Sequence, residues 1–343
     1  MENHKTKKVH YYATPSAAEG YPCEILPGSS VGDAIVPYGI YLENSWGGGS
    51  HSWVIGDDRH IAPDTLYIRY YSLVDDKFYG ERYPLDQVEL YRLLTTTYKD
   101  KRGEILSYYT FTVSVGPNGW VGLWLGGSAG DLEICHFRAR EKDYNFEREL
   151  PIWGDRAKFV PTMRKKMFSF VQKELAEKRI SSNYWERLSK KYQWKLEVND
   201  PGFEVYDYSV DLINVERREG ASNGNWLTEL NEKSIPSEFC FFVKHDKDPL
   251  RYKVWIEVVM PWDPEDNDDE KQTLQLMQRN RELMELFDHF YAEAGDEEVS
   301  LLVELNKAMT SAKLKLKTAT KEKEIEGCNL YGIFDSDSYD IDR

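Results

Sequence analysis

The sequence predicts an α+β protein, with an antiparallel, aromatic-rich β-sheet assembly in the first half and mixed strands with long helices in the second. Three observations carry this. Residues 108–138 (YYTFTVSVGPNGWVGLWLGGSAGDLEICHFR) alternate apolar and polar positions in three short runs, separated by Gly116-Pro117-Asn118-Gly119 and a second Gly-rich turn at 126–130. Period-2 alternation bounded by Gly, Pro and Asn marks strands, and turns this short join antiparallel neighbours. Aromatic residues make up 14% of the chain, with 10 Trp and 23 Tyr, which suits sheet faces and contact surfaces. Beyond residue 150 the apolar spacing turns helical at 162–179 and 271–294.

Taken in order, residues 1–22 read as a polar arm. Short strands are expected near 38–43 and 52–55. Residues 65–73 form a strong strand, with Leu66, Ile68 and Tyr70 on one face against Tyr67, Arg69 and Tyr71 on the other. Asp75-Asp76 turns the chain and 77–83 returns. Pro84 then precedes a short helix at 85–95, where Leu85, Val88, Tyr91 and Arg92 stand at helical spacing. In the meander, Trp120 and Trp124 alternate with Val121, Leu123 and Leu125, so both faces of one strand carry apolar bulk and both should be covered.

The second half opens with a helix at 162–179, its stripe made by Met163, Met167, Phe170, Val171 and Leu175. Another helix is expected at 182–192, and strands at 194–198, 203–210, 239–244 and 252–260. Asn223-Gly224 signals a turn. The acidic run 263–270 reads as a loop before a helix at 271–294. There Leu276, Leu283, Phe287 and Phe290 face one way, beside a line of Met277, Met284 and Tyr291. A last helix is expected at 297–312, followed by a frayed acidic tail at 331–343. No Pro/Ser-rich linker interrupts the chain, so a β-rich part (1–150) and a helix-rich α+β part (151–343) are expected to pack together.

With 44 basic and 59 acidic residues the net charge is −15. Such a chain lacks the basic footprint that a nucleic-acid backbone demands, and it suits a protein partner with a basic surface. Cys23, Cys135, Cys240 and Cys328 lie far apart with no CxxC spacing, which predicts free thiols and neither disulfide framework nor zinc site. The N-terminal segment has no apolar signal core and no run is long enough to span a membrane. The expected location is cytoplasmic, or periplasmic if the N-terminus has been processed.

The piece GPNGWVGLWLGG, preceded by YYTFTVSV, resembles the bacterial family called domain of unknown function 2931. Upstream, LYIRYYSLVDDKFYGERYPL resembles the same family's strand, acidic turn, Tyr-containing strand and short helix. Together they cover about residues 60–140. The resemblance implies a binding role rather than a reaction. Members of the family are often predicted lipoproteins, and some lie beside secreted phospholipase-type effectors, which implies neutralisation of a toxin. This sequence shows no lipoprotein signal or lipobox cysteine.

Several sequence patterns bear on chemistry. Gly28-Ser29-Ser30-Val31-Gly32 matches G-x-S-x-G, which in a serine hydrolase lifts the Ser on a strand-to-helix turn. Pro27 and Pro37 flank it here, so a Gly/Ser turn between short strands is expected, and a hydrolase using the Gly28-Ser30-Gly32 turn stands as the alternative function. Trp46-Gly47-Gly48-Gly49-Ser50-His51 reads as a flexible hairpin tip. Cys135 and His136 are neighbours on a strand and so point to opposite faces. His51 and His60 lack metal-ligand spacing, and the acidic run lacks the Gly and Glu of an EF-hand, so no metal and no cofactor are expected. Lys313, Lys315, Lys317, Lys321 and Lys323 form a strip expected to pair within the chain or to be solvated. The resulting expectation is a non-enzymatic binding protein, most concretely an immunity protein that occludes a cognate toxin. Trp46, His51, Trp53, Asp266, Asp268 and Asp269 are its candidate contact residues.

Overall fold

The structure, a computed structural model, describes residues 3–43, 45–48, 58–180, 183–259 and 268–335. It is α+β. Two compact units are present: Met1–Tyr98 with Glu104–Glu186, and Lys99–Gly103 with Arg187–Arg343.

In the first unit the predicted meander forms as Tyr108–Val115, Trp120–Gly127 and Gly130–Arg138, each antiparallel to the next. Its turn is fixed by backbone geometry. Asn118 and Gly119 both take positive φ (56° and 85°), and a Cβ on Gly119 would lie 2.4 Å from the Ala139 carbonyl oxygen. Only glycine fits there without moving backbone. Val121, Leu123 and Leu125 point into a core shared with Ile25, Leu66, Ile68, Tyr70, Phe111 and Val113, all fully buried. The opposite face is covered as predicted: Trp120 is 4% exposed and Trp124 is 1% exposed. A second sheet supplies the other side of that core, in the order Arg140–Lys142, Lys77–Pro84, Thr65–Ser72, Cys23–Ile25 and Tyr41–Leu42. The short helix Gln87–Thr95 is capped by the Asp86 carboxylate and buries Leu90 and Leu93.

Two expectations for this unit are corrected. Residues 1–22 are not a polar arm. Lys8–His10 pairs with Arg59–Ile61, and Tyr12–Ala17 lies parallel to Tyr108–Val115 at the end of the meander sheet, with Tyr11, Ala13 and Ala17 buried. A strand that pairs on one side tolerates Pro15, and its partner is far off in sequence, so the local pattern stays weak. The helix expected at 162–179 is two helices, Arg156–Arg164 and Ser169–Ala176. Met167 and Val171 are buried across the break, Phe168 rides 2.7 Å from where a Gly20 Cβ would be, and Gln172 Nε2 donates to the Met167 carbonyl at 2.8 Å. The tight turn preserves the apolar spacing, which is why the stripe reads as continuous. Of the two short strands expected early, Tyr41–Leu42 is present, and 52–55 lies outside the described residues.

The second unit has one antiparallel set in the order Arg217–Glu219, Phe203–Leu212, Pro236–His245, Asp248–Glu257 and Asn329–Asp335. A second set runs Asn231–Lys233, Tyr192–Val198, Val299–Leu305, Ala312–Lys317 and Glu322–Glu324. The helix Asp269–Ala294 buries Met277, Leu283, Met284, Phe287 and Phe290. Leu276, expected in that stripe, is 43% exposed instead. The stripe is centred on the 277/284 line, and that rotates 276 outward. The helix expected at 182–192 ends at Leu188, and Tyr192 already begins a strand.

The expected last helix, 297–312, is a strand pair. Gly295, with φ 61°, ends the long helix. Val299–Leu305 then pairs on both sides, parallel to Tyr192–Val198 and antiparallel to Ala312–Lys317. A continuous apolar run such as Leu301-Leu302-Val303 does not reveal its period, so only burial on both faces distinguishes strand from helix. Likewise residues 331–335 of the tail are not frayed but belong to the strand Asn329–Asp335. Three lysines of the strip pair within the unit, Lys313 with Glu324, Lys315 with Glu304 and Glu322, and Lys321 with Glu293, while Lys317 and Lys323 are exposed to solvent. Among the described residues, no helix is long and apolar enough to cross a membrane.

Candidate functional site

In the second unit three turns meet around an open groove of about 780 Å³. The first turn, Asn199-Asp200-Pro201-Gly202, joins Tyr192–Val198 to Phe203–Leu212. Asn, Asp, Pro and Gly each favour such a turn for their own reason. Asp200 Oδ1 accepts the Gly202 N–H at 2.8 Å, which holds its carboxyl below the usual range, aided by the nearby His245. Asn199 ties the turn to Leu305, donating from Nδ2 to its carbonyl and accepting its N–H, both at 3.0 Å. The second turn, His245-Asp246-Lys247, closes the hairpin to Asp248–Glu257. The third, Asn306–Ser311, is held by Asn306 Oδ1, which accepts the N–H groups of Thr310 and Ser311 at 2.8 and 3.2 Å. Met309 takes a φ of 53° inside it.

His245 links the first two turns. Its Nδ1 lies 3.1 Å from the Lys247 backbone nitrogen and 3.2 Å from Asp246 Oδ1, and its Nε2 faces Asp200 Oδ2 at 3.5 Å. Phe203 meets the ring edge-on at 4.8 Å. A Cβ on Gly202 would lie 2.5 Å from His245 Nε2, so the imidazole rests over the turn only because position 202 is glycine. Aromatic and apolar surface from Phe203, Tyr252 and Met309, a carboxylate from Asp200, and cations from Lys247 and Lys307 line the same groove. That lining contains no Ser, Thr or Cys.

Of the sequence-predicted contact residues that the structure describes, Trp46, Asp268 and Asp269 do not line this groove. Trp46 is 9% exposed and its ring packs edge-on against Trp124 at 5.5 Å, with Trp185 at 6.2 Å. Gly122 makes room for the pair, since a Cβ there would come within 3.2 Å of Trp46. Asp268 caps the long helix, its carboxylate accepting the Lys271 N–H at 3.0 Å, and Asp269 is the exposed first residue of that helix. His51, Trp53 and Asp266 lie outside the described residues.

The G-x-S-x-G and Cys-His patterns also have defined places. Ser30 lies in the strand Ser30–Val31, paired with Thr65–Ser72 on one side and Ala34–Ile35 on the other. No helix follows it, and the neighbouring Ser29 hydroxyl is buried, donating to the Leu26 carbonyl at 2.9 Å and accepting the Arg69 N–H at 3.0 Å. Burial pushes the Cys135 thiol up to about 12, while His136 bonds Glu133 at 3.0 Å. Among the described residues no group of His, Cys, Asp and Glu is arranged to hold a metal.

Residues 1–175 match the family described as "Protein of unknown function (DUF2931)", and with 175 of 343 residues matched the chain belongs to that family. The match extends on both sides of the segment 60–140 from which the resemblance was read. It ends within the first unit, so the groove lies beyond it. No curated protein and no solved structure matches the chain.

Proposed function

We propose that the chain is a non-enzymatic binding protein that covers a protein partner, and that its concrete role is that of an immunity protein occluding a cognate toxin. The observation that carries this reading is the groove itself. Three turns, two closing hairpins and one joining strands of different sheets, converge on one open concavity, and loops held on a rigid scaffold are where binding residues concentrate. The location of the side chains that could act as nucleophiles supports the same reading. Ser30 is in a paired strand, Cys23 and Cys240 are buried, and burial raises the Cys135 and Cys328 thiols to about 12 and about 11. A thiol so placed is a poor nucleophile.

In this mechanism the excess negative charge speeds encounter with a basic partner surface. The aromatic faces of Phe203 and Tyr252 then hold the complex. The test is binding to the product of the neighbouring gene, by wild type and by Tyr252→Ala. A loss of at least tenfold in the variant supports the groove as the contact. Undiminished binding moves the interface elsewhere. Ester hydrolysis abolished by Ser30→Ala would overturn the non-enzymatic reading altogether.

A further inference from the structure

In a chain of net charge −15, the two helices Arg156–Arg164 and Ser169–Ala176 and their flanks are locally basic. Their charged residues sort cleanly by role. Each arginine is engaged. Arg156 Nε donates to Asp76 at 2.8 Å, Arg164 donates to the Leu73 and Val74 carbonyls at 3.1 and 2.6 Å, and Arg179 pairs with Glu177. The acids are engaged too: Asp155 accepts the Ala157 N–H at 2.8 Å and Glu174 accepts the Tyr21 hydroxyl at 2.8 Å. Val160, Met167 and Val171 anchor both helices in the first unit's core. What remains at the surface is Lys158, Lys165, Lys166, Lys173 and Lys178, all exposed, with no ion pair among the described residues. Just before them Ile152 stands 84% exposed.

We propose that this lysine strip docks on an anionic phospholipid surface, with Ile152 entering the headgroup region. The choice of lipid over an acidic protein rests on which cations were left without an ion pair among the described residues. Arginine recognises carboxylates bidentately and is favoured where a partner must be oriented, whereas lysine is a mobile point charge without preferred geometry. A strip of lysines alone suits a smeared negative surface, to which each contributes about fivefold in partitioning. The inference is independent of the groove in the second unit.

The test is cosedimentation of the full chain with vesicles of phosphatidylglycerol and phosphatidylcholine, beside vesicles of phosphatidylcholine alone. Binding is expected only to the anionic vesicles, and it should be lost at roughly 0.5 M salt, where screening shortens to about 4 Å. The triple variant Lys165→Gln/Lys166→Gln/Lys173→Gln should reduce partitioning about 100-fold. The equally charged control Lys313→Gln/Lys317→Gln/Lys323→Gln should leave it unchanged, and Ile152→Ser should reduce it severalfold. Circular dichroism and thermal melting of each variant establish that it is folded. Failure to bind, equal binding to neutral vesicles, or equal losses in both triple variants would overturn the proposal. So would capture by poly-glutamate without capture by vesicles, since that identifies an acidic protein as the occupant.

Discussion

Glu24 in the first unit and Lys233 in the second are both buried against indole rings, yet the chain accommodates them differently. Glu24 sits on the strand Cys23–Ile25, opposite Tyr41 and Tyr71, and accepts the indole N–H of Trp153. Burial raises its carboxyl to about 7. Lys233 is wholly buried, its ammonium nitrogen bonded to the carbonyls of Trp194 and Glu229 and lying 4.8 and 5.0 Å from the ring centroids of Trp194 and Trp226. Burial lowers it to about 7. Desolvation thus drives an acid and a base towards neutrality from opposite sides. The difference lies in the partners. Lysine's donors are met by backbone and by two π faces, so Lys233 holds the strand Asn231–Lys233 in place, whereas one indole N–H leaves Glu24 weakly compensated.

The largest effect should come from breaking the lysine site. Lys233→Ala removes a buried stem and leaves two carbonyls without a donor, a loss of about 3–5 kcal/mol. Lys233→Met keeps most of the stem and should cost less, about 2 kcal/mol. Urea unfolding of both variants checks this. Equal losses would mean that the bonds, not the packing, carry the site.

The two groups also predict opposite pH windows. Glu24 has its folded value raised from 4.5 to about 7, so the stability it gives is full below 4.5 and is lost as pH rises through 7. Glu24→Gln should remove that loss and be more stable than wild type by about 1–3 kcal/mol at pH 8. Lys233 has its folded value lowered from 10.5 to about 7, so the unfolded state binds more protons between those values and stability rises across that window. Lys233→Met should flatten the alkaline rise and leave the acid side unchanged. Thermal melts from pH 4 to 10 separate the two.

The turn before Trp120 comes next. Gly119→Ala forces a Cβ against the Ala139 carbonyl at a positive φ, and should cost about 1–3 kcal/mol. The smallest effect is expected at Asp268. If its main role is to cap the long helix, Asp268→Ala costs about 1 kcal/mol and Asp268→Asn almost nothing. A large binding defect in the Asn variant would restore a contact role for this residue.

What the sequence revealed follows the range of each interaction. The meander was legible because alternation and the GPNG turn are local, and so were the strands 65–72 and 77–84 around Asp75-Asp76. The strand Tyr12–Ala17 was not, because its only apparent reason to be extended is the partner at 110–115. The strand Val299–Leu305 was hidden by its unbroken apolar run. Each turn of the groove carries a readable signal, such as Asn-Asp-Pro-Gly at 199–202, but their convergence depends on pairings between strands about 100 residues apart. Trp46 illustrates the opposite difficulty. A Trp beside glycines looks like an exposed tip, and only the space left by Gly122 explains its burial.

The most direct test of the binding account is the association rate of the chain with the protein encoded beside it, measured across a salt series from roughly 0.05 to 0.5 M. The account predicts that rising salt slows association far more than it speeds dissociation. Tyr252→Ala should act the other way, leaving association nearly unchanged and hastening dissociation at least tenfold. No detectable complex, or one whose association ignores salt and whose lifetime ignores Tyr252, would contradict it.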